Sequence, residues 1–383
     1  MKRYHSGRLA RRILLHVILP AASIFVLISV RSPVSAAHLA VGDILVGAIS
    51  DNGYTPGVLR VDPITGDRSF VSGGGVGSGP DFGGVAGLSL EGNSTLYVSD
   101  LGLDAILRVD LATGNRTLVA GAGVGSGDAF NYPHAIWRDS ENSLLVVDIS
   151  GRDGSLYRVD MTTGDRTVVT SPTRGTGPTI INPGHVISLP DGDILLAIAG
   201  RPDDGITGAI LRVDPLTGDR SVFSGPTRGA GDDFITASGL TLTKSGEIYA
   251  TDNWNARIYR IDPLTGDRTM VANGFVPEEP TFLSPYAVAE EAPGKLIFTD
   301  VNYSEIFRAD ITTVTHELFS SDAVGYGTGP SLNYPVGLAI VQVPEPASIW
   351  LTTAAAAVLL LATRRKVGNG FGVHRNAVNT DEY

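Results

Sequence analysis

The chain has 383 residues, 18% of them charged, a formal net charge of −11 and no cysteine. Six basic and no acidic side chains in 1–37, with an excess of two basic ones in 347–383, leave residues 38–346 at −19. Such a balance argues against nucleic acid or anionic lipid as a partner of that region, and the missing cysteines exclude disulfide staples.

The chain opens with a basic segment, an apolar run over 13–30 and the small residues Ser35, Ala36 and Ala37. Residues 1–37 read as a signal peptide cleaved after Ala36 or Ala37; the length of the run and Arg31 at its exit leave an uncleaved anchor as the alternative. From Leu59 the chain then writes LRVDPITGDRSFVSG and repeats it with small changes from Leu107, Tyr157, Leu211, Tyr259 and, in decayed form, Phe307. The shared aspartates Asp62, Asp110, Asp160, Asp214, Asp262 and Asp310 are spaced by 48, 50, 54, 48 and 48 residues, the period of a repeat array. Each copy reads as a hairpin: alternating residues end one strand, Asp-Pro-x-Thr-Gly-Asp turns the chain, and alternation resumes.

Two further strand signals precede each hairpin, for example 85–90 and 95–99, or 239–243 and 247–251. Each unit is then a four-stranded antiparallel meander, and six of them make residues 38–343 an all-β, six-bladed β-propeller. The first unit starts at Gly42 with no first strand, while an unmatched strand, 336–342, lies at the far end. Strand 336–342 is expected to complete the first blade, so that the termini clasp and the ring has no open edge. The glycine-rich segments between units, such as GGGVGSGPDF, lack the following helix of a phosphate cradle and read as flexible connections on one face, opposite the Asp-x-x-Thr-Gly turns.

On the face of these connections, the second strand of four units ends in Asp100, Asp148, Asp252 or Asp300, where the first and fourth units have Ala48 and Ile198. Two explanations compete. Each aspartate caps its own short loop, or the carboxylates converge on a divalent cation such as calcium. His134, His185 and Tyr286 follow loop prolines into first strands and are placed at the axial mouth, as packing or as ligand-binding groups; the histidines with nearby carboxylates would suit a transition metal. Trp254 is either a stacking platform or loop packing. No Gly-x-Ser-x-Gly, His-Glu-x-x-His or cysteine nucleophile is present, and no catalytic residue is assigned.

At the C-terminal end, Val343-Pro344-Glu345-Pro346 precedes an apolar run over 349–363 and the basic residues Arg364, Arg365 and Lys366. Residues 347–363 are just long enough to cross a bilayer as a transmembrane helix, with the basic cluster cytoplasmic. An ordinary membrane anchor would look similar, but the three-part layout of 344–366 closely resembles the PEP-CTERM sorting signal. That resemblance implies transient anchoring in the inner membrane, processing by an exosortase-type enzyme, and release or attachment at the cell surface. Residues 367–383 form a short polar tail, where such signals usually end soon after the basic cluster.

The propeller region has a resemblance of its own. The strand pattern seen most clearly at Asp252-Asn253-Trp254-Asn255-Ala256-Arg257-Ile258 resembles NHL-type six-bladed propellers and their lactonase-like relatives. Those relatives imply a calcium ion held by a first-strand glutamate, whereas the clasping strand here reads Pro335-Val336-Gly337. The expectation is an exported, surface-sorted propeller acting as a non-catalytic binding or scaffold module, with extracellular polysaccharide or a surface protein as its company. The alternative is a metal-dependent, lactonase-like hydrolase.

Overall fold

The computed structural model describes residues 39–342 apart from 50–54, 150 and 152. The expected signal peptide, the Pro344-Glu345-Pro346 segment, the apolar run and the polar tail lie outside the described residues. Among the described residues no helix is long and apolar enough to cross a membrane.

The described chain is all β apart from one 3₁₀ turn, Pro202–Asp204. Blade 1 contains β1 (Ile44–Ala48), β2 (Gly57–Val61) and β3 (Arg68–Gly73); blade 2 contains β4 (Val85–Glu91), β5 (Thr95–Asp100), β6 (Ala105–Asp110) and β7 (Arg116–Gly121). Blade 3 contains β8 (Pro133–Ser140), β9 (Ser143–Asp148), β10 (Ser155–Asp160) and β11 (Arg166–Thr170), and blade 4 contains β12 (Pro183–Ser188), β13 (Ile194–Ile198), β14 (Ala209–Val213) and β15 (Arg220–Ser224). Blade 5 contains β16 (Ala237–Leu242), β17 (Ile248–Asp252), β18 (Arg257–Ile261) and β19 (Arg268–Asn273). Blade 6 contains β20 (Pro285–Ala292), β21 (Lys295–Asp300), β22 (Glu305–Asp310) and β23 (Thr315–Ser320), and β24 (Pro335–Ile340) follows.

Strand β24 pairs antiparallel with β1, from Ile44 opposite Ile340 to Ala48 opposite Pro335, and completes blade 1 in the order β24-β1-β2-β3. The expected clasp is therefore present, starting one residue earlier and ending two residues earlier than its sequence bounds. First strands of successive blades touch in a closed circle, β24 to β4, β8, β12, β16, β20 and back to β24. The molecule is a six-bladed β-propeller. Second strands are buried on both faces, as in β1, β13 and β17. Their side chains pack into inter-blade layers such as Leu45, Val58, Leu96, Val98 and Leu107. Burial of a side chain of this size stabilises by about 1.5–3 kcal/mol, so these layers supply most of the favourable free energy.

The repeated turn does more than reverse the chain. Asp62 Oδ1 accepts the N–H groups of Ile64 and Thr65 at 2.9 and 3.1 Å, as a turn aspartate should. Gly66 has φ +74°, and a Cβ there would meet the Phe319 carbonyl of blade 6 at 2.8 Å. The following two residues reach into the neighbouring blade's connection. In blade 2, Asn115 Oδ1 accepts the Ser78 N–H and hydroxyl, both at 2.8 Å. Arg116 Nε donates to the Pro80 carbonyl at 2.6 Å, and its Nη1 donates to Ser72 Oγ and the Val76 carbonyl, both at 3.0 Å. Asp165 and Arg166, Asp219 and Arg220, and Asp267 and Arg268 repeat the grip on the next three connections.

The glycine-rich segments are thus not flexible connections, contrary to the sequence expectation. Five are pinned by an arginine, of which Arg68, Arg116 and Arg268 are buried, and the sixth by His316; each ends in a buried apolar residue, Phe82, Phe130, Ile180, Phe234, Phe282 or Leu332. Nor do they keep to one face. The segment 73–84 meets the turn of blade 2 at Asn115 and then the far end of β5 at Asp100, so it runs the length of the blade. Ring closure uses the same device: Asp67 and Arg68 grip Thr328 and Pro330, a second clasp beside the β24–β1 pairing. In blade 6 the motif has decayed to Val314-Thr315-His316. There His316 Nε2 lies 2.6 Å from the Pro280 carbonyl and Nδ1 lies 2.5 Å from Glu279.

Candidate functional site

The face of the ring where first strands begin is the axial mouth, and its shape follows from a repeated bulge. Pairing with the second strand skips a residue between Val85 and Leu88, Pro133 and Ile136, Pro183 and Val186, Ala237 and Leu240, and Pro285 and Val288. A bulge bends the strand and re-aims its side chains. Four of these bulges end in glycine or alanine and the fourth blade's in His185; small residues suit the position because the next blade's backbone lies against it: a Cβ on Gly239 would stand 1.8 Å from the Tyr286 carbonyl. Hydroxyls on the second strand bridge the seam. The Gly87 N–H donates to Ser99 Oγ at 2.7 Å, and that hydroxyl donates to the His134 carbonyl of blade 3. Thr251 does the same between Gly239 and Tyr286, at 2.7 and 2.8 Å.

The four strand-end aspartates act as loop caps. Asp100 accepts from the N–H groups of Gly83, Gly84, Gly102 and Leu103 at 2.9–3.1 Å. Asp252 accepts from Ile235, Thr236 and Asn255, and Asp300 from Leu283, Ser284, Asn302 and Tyr303. Asp148 accepts from Asn131 at 2.7 Å. Asp100, Asp252 and Asp300 therefore tie the start of a first strand to their own blade's second-to-third loop, while Asp148 caps the start of its first strand. Of the two expectations, these contacts are those of loop caps; among the described residues no group of three or more His, Cys, Asp or Glu is arranged to hold a metal ion. Burial pushes the carboxyl of Asp148 up to about 7 and raises Asp100 as well, in spite of its amide donors.

His134 and Tyr286 do meet. Tyr286 Oη lies 3.3 Å from His134 Nε2, and the rings contact edge to face with centroids 5.6 Å apart. Blades 3 and 6 stand opposite in a ring of six, so this bond crosses the axis. His185, on the bulge of blade 4, lies close enough to His134 for its charge to matter. Burial first, and for His185 then His134, pushes both imidazoles down to about 4. Both are neutral at pH 7, and the Nδ1 atoms of both are buried without a hydrogen-bond partner. Beside them Ala86, Leu101, Val301 and Val336 form an apolar cluster with Ile49 and Tyr286 packed on it. Trp254 is 58% exposed in the second-to-third loop of blade 5, with its backbone N–H on Thr236 Oγ1 at 3.0 Å.

No protein-family model matches the chain, and no curated protein matches it. Solved structures do share the fold. One chain of the structure titled "Crystal structure of Nidogen/Laminin Complex" is similar over 79% of this chain and 99% of its own, with a TM-score of 0.58 and 16% identity. At that identity the likeness speaks for the propeller alone.

Two residues of the propeller's mouth escaped the sequence reading. Tyr132 and Tyr334 precede the prolines that open β8 and β24, and both have left-handed backbones, φ +80° and +52°. For a bulky residue that conformation costs about 1–2 kcal/mol, and something must hold it. The Tyr132 N–H donates to Asp104 Oδ1 at 2.9 Å and the Tyr334 N–H to Ser304 Oγ at 3.0 Å. Each tyrosine is thus fixed from the preceding blade and stays half exposed, 46% and 48%. The available signal was the Asn-Tyr-Pro triplet, present in only two of the six connections.

Proposed function

We propose that the protein is an exported, surface-sorted propeller that works as a non-catalytic binding or scaffold module, with the axial mouth as its ligand face. The observation that carries this is how the mouth's side chains are employed. Its strand-end carboxylates are engaged by backbone amides and its histidines are buried and neutral, while aromatic rings of Tyr132, Tyr334 and Trp254 are left facing solvent. A surface of half-exposed aromatic groups held on a rigid frame suits recognition. A propeller of the same fold occurs in a nidogen/laminin complex, which is compatible with a scaffold role here.

The address rests on the two ends of the sequence. A signal peptide over 1–37 would start export; Pro344, Glu345 and Pro346 with Arg364 and Arg365 would present the chain to an exosortase-type enzyme from the inner membrane. Extracellular polysaccharide or a surface protein is the partner this address supplies, and the acidic propeller would not hold nucleic acid. The test is fractionation of cells making the full chain with an internal epitope tag, beside a variant with alanine at 344, 345 and 346. Wild type is expected at the cell surface or in the medium, with the variant retained in the membrane; cytoplasmic wild type, or identical distributions, would overturn the reading.

A further inference from the structure

We infer that the axial mouth is a carbohydrate cup, in which Tyr132 and Tyr334 hold one neutral sugar ring above Tyr286 and His134. The inference rests on the mouth being the ligand face and names the class of ligand.

Three tyrosines from three blades gather here. Tyr132 stands two residues before His134 and Tyr334 two before Val336, while Tyr286 bonds His134 and packs on the cluster that holds Val336, so the three residues border one mouth. Burial raises the pKa of the Tyr286 phenol and of the Tyr334 phenol. Tyr286 is anchored from below by His134, and the upper two rings are held by Asp104 and Ser304 through their own backbone N–H groups. The rings are therefore positioned before any ligand arrives, which lowers the ordering cost of binding.

The chemistry around them is amphipathic, with the Asp104 carboxylate held on the Tyr132 N–H. On one side lie Ala86, Leu101, Val301 and Val336; the floor is a neutral imidazole bonded to a phenol; the strand-end carboxylates nearby are turned to backbone amides. A pyranose has an apolar C–H face that packs on an aromatic ring and a rim of hydroxyls that phenols can bond. An anionic sugar would meet a propeller of strongly negative charge. An organic cation is the competing occupant for an aromatic cup, and the test separates the two.

The experiment is calorimetric titration of the full chain in detergent with cellohexaose, laminarihexaose, mannohexaose and xylohexaose, with oligogalacturonate and tetramethylammonium alongside. At least one neutral hexaose is expected to bind. Tyr132→Ala and Tyr334→Ala should each weaken it about tenfold or more, Tyr132→Phe and Tyr334→Phe only a few-fold, and Trp254→Ala little. The phenylalanine variants keep the ring and guard against a fold defect in the alanine ones. No binding of any neutral hexaose up to about 10 mM would overturn the cup while leaving surface sorting to its own fractionation test. Binding indifferent to both tyrosines would move the site elsewhere on the propeller, and tyrosine-dependent binding of tetramethylammonium alone would make the cup a cation cage.

Discussion

Arg268→Ala tests whether the pinned connections hold the blades together. The Arg268 side chain is 1% exposed, with Nε on the Asp232 carbonyl at 2.6 Å, Nη1 on Ser224 Oγ at 3.0 Å and the Arg228 carbonyl at 3.1 Å, and Nη2 on Asp233 at 2.9 Å and the Gly231 carbonyl at 3.1 Å. Hydrogen bonds to a charged group contribute about 1.5–3 kcal/mol each, but water re-enters a rim site, and removing one partner of a buried pair costs about 3–5 kcal/mol in practice. For a chain of this size that is a fall in Tm of roughly 6–15 °C. Arg260, half exposed and 3.6 Å from Glu247, is the control: Arg260→Ala should cost under about 0.5 kcal/mol. Thermal unfolding followed by circular dichroism compares the two, and hydrogen exchange should show amides of 225–234 loosened only in the first. Equal shifts, or unchanged exchange in that segment, would refute the assignment of the motif as an inter-blade grip.

Three further outcomes follow from the same geometry. Gly337→Ala would drive a Cβ to 1.9 Å from the Ala86 carbonyl across the closing seam, so it should cost about 3 kcal/mol; Gly92→Ala, in open space with φ +58°, should cost about 1 kcal/mol, and denaturant midpoints decide. His134 has a folded-state pKa near 4 against an ordinary 6.5, so its stability contribution is complete above pH 6.5 and is lost as pH falls toward 4. Asp148, raised to about 7, has the opposite sign: it stabilises at low pH and loses that as pH rises through 7, which flattens the wild-type profile. The difference between wild type and His134→Gln is the clean measure, and the variant's deficit at pH 7 should shrink by about 3 kcal/mol at pH 4; a constant deficit would remove the buried neutral histidine. Deleting 335–342 exposes the edge of β1 and the apolar contacts of Val336, Ile340 and Val341, and should leave no cooperative unfolding transition near that of the intact chain.

The architecture was readable because local chemistry repeats. The turn aspartate, the glycine and the two-residue alternation each act within their own hairpin, and the unmatched strand at 336–342 pointed to its missing partner. What the motif does beyond its hairpin was not readable: Asp67 and Arg68 look like the end of a turn and the start of a strand, but their partners Thr328 and Pro330 lie across the closing seam. The mouth was half readable. Counting strands placed His134 and Tyr286 on the right face, and only the opposition of blades 3 and 6 shows that they bond. The aspartates could not be sorted between cap and ligand, since direction depends on loop amides such as those of Gly83 and Leu283. Tyr132 was passed over because an ordinary Tyr-Pro pair gives no hint of a left-handed backbone.

The strand that completes blade 1 also sets an order of events. Every other blade is made of strands adjacent in sequence and can form as soon as its own hairpins are synthesised, whereas β1 must wait for β24, and Asp67 must wait for Thr328. Closure is a contact of very high sequence separation, the slowest kind to form. Until it forms, β1 offers an unpaired, fully apolar edge, the surface on which nascent β proteins cross-pair and aggregate. The ring therefore becomes safe all at once, with its last strand, and a folding helper or a slowed synthesis would be expected to matter at that step and not before.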